Sequence, residues 1–260
     1  MSSQEPPRLA AITGAGSGIG EAVAHRLAAE GFDVAVIDID GGKAESVAGA
    51  VARAGGNALP LVVDVCQAES VEAAFAAIEA WRKSPDVLVN SAGVLSIVPV
   101  MECQPATFRS VMDVNVLGTF LCAQRAARGM IAQHYGRIVN LTSISGERAG
   151  VGRVAYGTSK AAVAGLTRQL AMELGSFGIT ANSVAPGPIR TPLTEASYTP
   201  ETIRAFEGMI PAKRLGTVDD VAHAIAFLCG DAAAYVNGVM LAVDGGFLAA
   251  GVGTTGGLQA

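Results

Sequence analysis

The sequence predicts a doubly wound α/β fold: a mostly parallel seven-stranded sheet with helices on both faces, in a single domain. Three observations carry that prediction. Short β-branched apolar runs alternate with long Ala-rich stretches of helical period along the whole chain. The strand runs are continuously apolar, as strands buried on both faces are, rather than alternating in and out. The alternation never resets, so residues 1–260 read as one unit.

Each element has its own signal. Leu9–Thr13 reads as a strand and Gly18–Glu30 as a helix, divided by a Gly-rich turn. Asp33–Asp38 (DVAVID) is a β-branched run, and Gly42–Ala54 a helix. Ala58–Val63 is a strand before a helix over about 68–83, and Val87–Asn90 a short strand. Pro105 opens a long helical stretch reaching His134. Arg137–Leu141 (RIVNL) is a strand, Val154–Leu174 a helix and Ile179–Val184 a strand. Val218–Cys229 is the last helix and Val239–Val243 the last strand. Residues 187–216 break the rhythm. Their Pro, Thr and Glu content and their length mark a lid or binding segment. The tail 245–260 is Gly-rich and uncharged, and is either ordered on a partner subunit or loose.

Composition narrows the function. Half of the residues are apolar but only 5% are aromatic, so the core is small and aliphatic. The 32 glycines are about 12% of the chain against a usual ~7%, which allows close backbone approach. A net charge of −5 leaves no footprint for nucleic acid or an anionic membrane surface. No apolar stretch is long enough to span a membrane. Met1–Arg8 lacks the basic and apolar regions of a signal peptide. Cys66, Cys103, Cys122 and Cys229 are far apart with no CxxC pair, which fits reduced thiols and a cytoplasmic location. His25, His134 and His223 are scattered, so no metal site is expected.

The turn Thr13-Gly14-Ala15-Gly16-Ser17-Gly18-Ile19-Gly20 joins the first strand to the first helix. Glycines there permit positive φ and close approach of a pyrophosphate, and the helix start offers unpaired N–H groups. Asp38 ends the second strand, 18 residues after Gly20, where an acid accepts hydrogen bonds from an adenosine ribose. A 2′-phosphate would meet like charge, and no Lys or Arg stands at position 17 or at 39–42. NAD is therefore expected over NADP. Without the Gly turn, Asp38 would read simply as a turn-capping acid.

Tyr156 and Lys160 are four residues apart on an expected helix, hence on one face. An ammonium there favours tyrosinate and brings the phenol toward use as a general acid/base. Ser143 follows the strand Arg137–Leu141, where its hydroxyl can bond the same substrate oxygen. Taken singly, the pair also reads as helix-surface neighbours and Ser143 as a turn serine.

Together these residues give the chain a resemblance to the short-chain dehydrogenase/reductase family, over nearly its whole length. Residues 13–20 resemble the family's TGxxxGxG turn, and Asp38 its NAD-selecting acid. Asp64-Val65 resemble the pair beside the adenine ring. Asn90-Ser91-Ala92-Gly93 resembles NNAG, with Ser91 in place of the second Asn. Asn115, Ser143, Tyr156 and Lys160 match the four catalytic positions, and Pro186-Gly187-Pro188-Ile189-Arg190-Thr191 the segment that holds the nicotinamide carboxamide.

The resemblance implies a Rossmann-like fold and hydride transfer between a nicotinamide and a secondary alcohol or ketone. Tyr156 would exchange the proton and Ser143 orient the oxygen. Lys160 would bind the nicotinamide ribose, and Asn115 a water linking Lys160 to solvent. Gly14, Ser17, Gly18, Ile19, Gly20, Asp38, Ile39, Asp64, Val65, Asn90, Ala92, Gly93, Tyr156, Lys160, Pro186, Gly187, Ile189 and Thr191 would contact NAD. A homotetramer is implied, paired through the helices near 115–134 and 154–174. The substrate pocket would form from Val94–Val98, from Ile144–Arg153 and from the lid, with Leu193, Tyr198, Ile203, Phe206, Met209 and Ile210 available as apolar contacts. Glu147, Arg148 and Arg153 would either read a polar substrate or face solvent. A 3-oxoacyl-thioester (acyl carrier protein) reductase and a catalytically silent cofactor-sensing protein are the alternatives.

Overall fold

A computed structural model describes residues 7–195 and 198–250. Seven strands form one sheet: β1 (Leu9–Thr13), β2 (Asp33–Asp38), β3 (Ala58–Val62), β4 (Val87–Asn90), β5 (Gly136–Leu141), β6 (Ile179–Pro186) and β7 (Met240–Val243). All pairings are parallel, in the order β3-β2-β1-β4-β5-β6-β7. The mostly parallel sheet expected from sequence is thus parallel throughout. Every strand points the same way, and strand order reverses between β1 and β4, which opens a crevice at their C-terminal ends.

The helices are α1 (Gly18–Ala29), α2 (Gly41–Arg53), α3 (Ala68–Trp81), α4 (Pro105–Met112), α5 (Gly118–Gln133), α6 (Val154–Leu174), α7 (Pro192–Glu195), α8 (Pro200–Met209) and α9 (Val218–Cys229). The strands divide their side chains between two cores with a period of two. Ala10 and Ile12 of β1, Val34 and Val36 of β2, and Val87 and Val89 of β4 pack with α1, α2 and α9. Leu9, Ala11, Ala35, Ile37 and Leu88 pack with α3 and α5 on the opposite face. Burial on both faces is why these strands read as unbroken apolar runs. β3 is an edge strand with half-exposed residues, and it alone carries an internal proline, Pro60.

Three expectations gain detail. The stretch from Pro105 is helical to Gln133, with α4 passing through a π-helical turn, Asp113–Leu117, into α5. Helical periodicity does not register one inserted residue. The segment 187–216 contains α7 and α8. Its ends are tied where Gly216 donates to the Pro188 carbonyl (3.0 Å) and Arg190 donates to the Gly216 carbonyl (2.9 Å). Of the tail, only 245–250 lies within the described residues.

Candidate active site

A cleft of about 940 Å³ runs along the C-terminal edge of the sheet. At one end lies the turn between β1 and α1. Gly14 and Gly18 have φ of 63° and 60°, a region that suits glycine. A Cβ on Gly14 would stand 2.7 Å from the backbone nitrogen of Ala92, and one on Gly20 would fall on the Gly14 carbonyl. Ser17 caps α1 in an extended conformation without a side-chain capping bond. The first-turn N–H groups of Gly18, Ile19 and Gly20 therefore have no intrahelical acceptor. Together with the dipole of α1, that arrangement fits a pyrophosphate.

Asp38 closes the same end. Its Oδ2 accepts from Gly16 N (2.8 Å) and its Oδ1 from Asp40 N (3.0 Å), which fixes the carboxylate at the cleft wall. Lys43 also approaches Gly16, but its ammonium lies 3.6 Å from an Asp40 oxygen. Ile39 (69% exposed), Asp64 and Val65 line this end, an apolar and polar setting that fits an adenosine.

Thr13 ties β1 to the loop after β4: its Oγ1 accepts from Ser91 N (3.2 Å) and Ala92 N (3.1 Å). Ala92 and Gly93 thereby reach the cleft. Asn90 does not line it. Its side chain lies within the sheet and donates to Asn140 Oδ1 at 2.9 Å, so its side chain bridges β4 and β5 instead of facing a ligand. Gly20 is likewise a packing residue outside the lining. Asn115 is fully buried behind the wall. Its amide accepts from Val94 N (2.8 Å) and donates to Val94 O (3.0 Å) and to Ser159 Oγ (2.9 Å). The π-turn presents this side chain to the 93–94 loop and to α6.

Ser143, Tyr156 and Lys160 come together at the middle of the cleft. The three-residue turn Ile144–Gly146 starts at Ser143, whose Oγ accepts from Ser145 N (3.1 Å). Burial holds the Tyr156 phenol above its ordinary range, while its hydrogen bond to Ser143 and the Arg153 guanidinium pull the other way. Lys160 is completely enclosed, and that burial lowers its pKa to about 8. Its Nζ donates to the Leu141 carbonyl (2.8 Å) and sits 5.7 Å from the centre of the Tyr156 ring. Burial, and not the ammonium, sets the direction for the phenol here, and the same burial weakens the charge on Lys160.

The far end is lined by Pro186, Gly187, Ile189 and Thr191, and roofed by Tyr198, Phe206, Met209 and Phe247. The rings form a chain, Tyr198 to Phe206 at 5.3 Å and Phe206 to Phe247 at 6.4 Å. Of the apolar residues expected here, Ile210 is core and Ile203 does not reach the cleft. The side chain of Leu193 lies outside the described residues. Arg148 and Arg153 line the cleft; Glu147 does not. Sequence reasoning gave no individual role to Thr13, Ser159 or Phe247. The first two act through hydrogen bonds that no spacing announces, and Phe247 stands in a glycine-rich tail with no periodic context.

Among the described residues no cluster of His, Cys, Asp or Glu could hold a metal, and no helix is long and apolar enough to cross a membrane.

Comparison with known proteins bears on this site. A family model described as enoyl-(acyl carrier protein) reductase matches residues 14–248. The 2-(S)-hydroxypropyl-CoM dehydrogenase 3 of Xanthobacter autotrophicus is 37% identical over 254 residues, covering 96% of this chain and 100% of that protein. The 3-oxoacyl-[acyl-carrier-protein] reductase FabG of Aquifex aeolicus is 36% identical over 240 residues, 92% of this chain and 96% of that one. The solved structure of a short-chain type dehydrogenase/reductase from Mycobacterium ulcerans superposes with a TM-score of 0.90 at 32% identity, covering 94% of this chain and 90% of that one. The protein belongs to the short-chain dehydrogenase/reductase family of nicotinamide-dependent oxidoreductases acting on CH–OH groups.

Proposed function

We propose that the protein uses NAD(H) and interconverts a secondary alcohol and its ketone, with Tyr156 as general acid/base. One observation carries the reading: Tyr156, Ser143 and the Lys160 amine line the wall of the same cleft that ends at Asp38, with the amine 5.7 Å from the centre of the Tyr156 ring. The bound nicotinamide supplies the hydride acceptor or donor. The chain supplies position and field. Tyr156 Oη takes the proton from the alcohol in oxidation and returns it to the carbonyl oxygen in reduction. Ser143 Oγ hydrogen-bonds that oxygen and stabilises the charge developing on it. Lys160 is the charge the chain itself offers to a deprotonated phenol. Asn115 is a positioning residue that locks the 93–94 loop to α6.

Asp38 is the basis of the preference for NAD. Its carboxylate would accept from ribose hydroxyls and repel a 2′-phosphate. Gly14, Ser17, Gly18 and Ile19 would hold the pyrophosphate, and Ile39, Asp64 and Val65 the adenine end. Ala92, Gly93, Pro186, Gly187, Ile189 and Thr191 would hold the nicotinamide end. Residues 187–216 act as the lid of a single catalytic domain. The unpaired cysteines fit a reducing, cytoplasmic setting. Exposed Leu117 and Phe120 near the start of α5, with small residues along α6, support a homotetramer.

A 3-oxoacyl-thioester reductase is the second reading, favoured by the likeness to the Aquifex aeolicus enzyme. The intact Tyr156–Lys160 pair argues against a silent cofactor sensor. The test is initial rates on secondary alcohols, polyols, ketones and a 3-oxoacyl thioester with each nicotinamide. Turnover with NAD(H) is expected; a clear preference for NADPH with the thioester would favour the second reading.

A further inference from the structure

We infer that the substrate carries an anionic group, which Arg148 and Arg153 hold at the far end of the cleft. This rests on the alcohol–ketone chemistry proposed above and narrows its substrate class. The charged side chains lining the cleft are segregated. Asp38 and Asp64 line the end beside the Gly-rich turn, and Lys160, Arg153 and Arg148 the end beyond Ser143. Among the described residues, neither arginine has a carboxylate within ion-pair distance, in contrast to Arg125, Arg137 and Arg214. Glu147, adjacent to Arg148 in sequence, does not line the cleft and supplies no counter-charge there.

Position makes the pair useful. The Arg153 guanidinium carbon lies 5.7 Å from the centre of the Tyr156 ring, within a small molecule's length of the phenol. Arg148 is stacked 5.3 Å over the Phe247 ring and reaches the Phe247 carbonyl at 3.5 Å, which holds it at the roof. The walls beside them are apolar, from Val94, Leu95, Phe206 and Met209. A guanidinium fork matches carboxylate, sulfonate or phosphate oxygens in pairs. The fitting substrate is a short chain with a carbinol facing Tyr156 and an anionic end between the arginines. A neutral alcohol of equal length would leave those charges uncompensated.

The experiment compares a short hydroxyalkanoate, the matching hydroxyalkanesulfonate and the neutral hydroxyamide of the same length, on the wild type and on Arg148→Gln and Arg153→Gln. The wild type should favour an anionic member over the amide by about 10–100-fold in kcat/KM, and rising ionic strength should narrow the gap. In each variant the anion-to-amide ratio should collapse, through KM for the anion. Arg153→Gln also alters the setting of the phenol, so the ratio is the readout and not the absolute rate. Equal kcat/KM for all members in the wild type, or a ratio retained in both variants, would overturn the inference while leaving the reaction standing. A tenfold or greater loss of NAD affinity in Arg148→Gln, read by titration, would assign that arginine to the cofactor and overturn the inference as well. Turnover of none of these, nor of the wider alcohol and ketone panel, with either nicotinamide would overturn the reaction and this inference together.

Discussion

Replacing Asp38 with Ala should exchange the coenzyme preference, and the size of the change follows from the wall of the cleft. The Asp38 carboxylate is fixed by N–H donors from Gly16 and Asp40 at 2.8 and 3.0 Å, so it cannot swing away from an incoming group. Two unit charges at about 4 Å interact by roughly 4 kcal/mol at an effective dielectric near 20. Asp38 is half-exposed, so solvent reduces this to about 2–3 kcal/mol, or about 10²-fold. The hydrogen bonds lost to the ribose of NAD cost about 1.5–3 kcal/mol more, because the acceptor is charged. The ratio of kcat/KM for NAD over NADP should therefore fall by about 10³-fold in Asp38→Ala. Lys43 packs beside Gly16 with its ammonium 3.6 Å from an Asp40 oxygen, and it is a cation that could pair with a 2′-phosphate once Asp38 no longer repels that phosphate. Removing it as well, in Asp38→Ala/Lys43→Ala, should return part of the discrimination. Steady-state rates with both coenzymes read the effect. Wild-type protein working equally well with NADP, or a ratio unmoved by Asp38→Ala, would refute the electrostatic argument.

Three further outcomes are expected. Tyr156→Phe should lower kcat by about 10³-fold or more while the Kd for NADH, from fluorescence titration, stays within about threefold; retained turnover would remove the phenol from its role. Lys160→Met should stabilise the ligand-free protein at neutral pH. The unfolded chain keeps the lysine proton to about pH 10.5, whereas the enclosed amine releases it near pH 8, so burying the charge costs stability below pH 8 and the cost fades as pH rises. After allowing for the lost bond to Leu141, the gain is about 2 kcal/mol, or about 5 °C in Tm, at pH 6–7. It should disappear toward pH 10.5, and a gain independent of pH would contradict the desolvation of Lys160. Gly14→Ala should destabilise the fold by about 2–4 kcal/mol in urea titrations, since its φ of 63° is unfavourable for alanine and the Cβ meets Ala92 N at 2.7 Å. An unchanged midpoint would show that the turn relaxes freely.

The strands were legible in the sequence because the sheet is buried on both faces, and continuous runs such as DVAVID have few other uses. Their common direction followed from the helical crossovers, but their order across the sheet did not. The π-turn was not legible: it changes the count between two helical faces by one residue, which apolar periodicity averages away. Asn90 and Asn115 belong to motifs whose spacing was plain, yet spacing says nothing about which way a side chain turns. One joins neighbouring strands and the other braces a loop. The enclosure that raises the Tyr156 phenol comes from segments remote in sequence, which the local pair Tyr156–Lys160 does not register. Conversely, Arg148 and Arg153 were visible as charges near the rim, but only the fold revealed that Glu147 faces elsewhere and leaves them without a counter-charge in the cleft.

The reversal of strand order between β1 and β4 divides the work of the molecule between two stretches of backbone. On the proposed function, residues 14–65 build the wing that grips, and the residues from 92 onward the wing that reacts. A coenzyme laid across the seam acts as a staple between them, anchored on one side by atoms that undergo no bond change. Sequence drift at reacting-wing positions that face only the substrate, such as Phe206 and Met209, would retarget the enzyme to new alcohols without loosening the grip of residues 14–65.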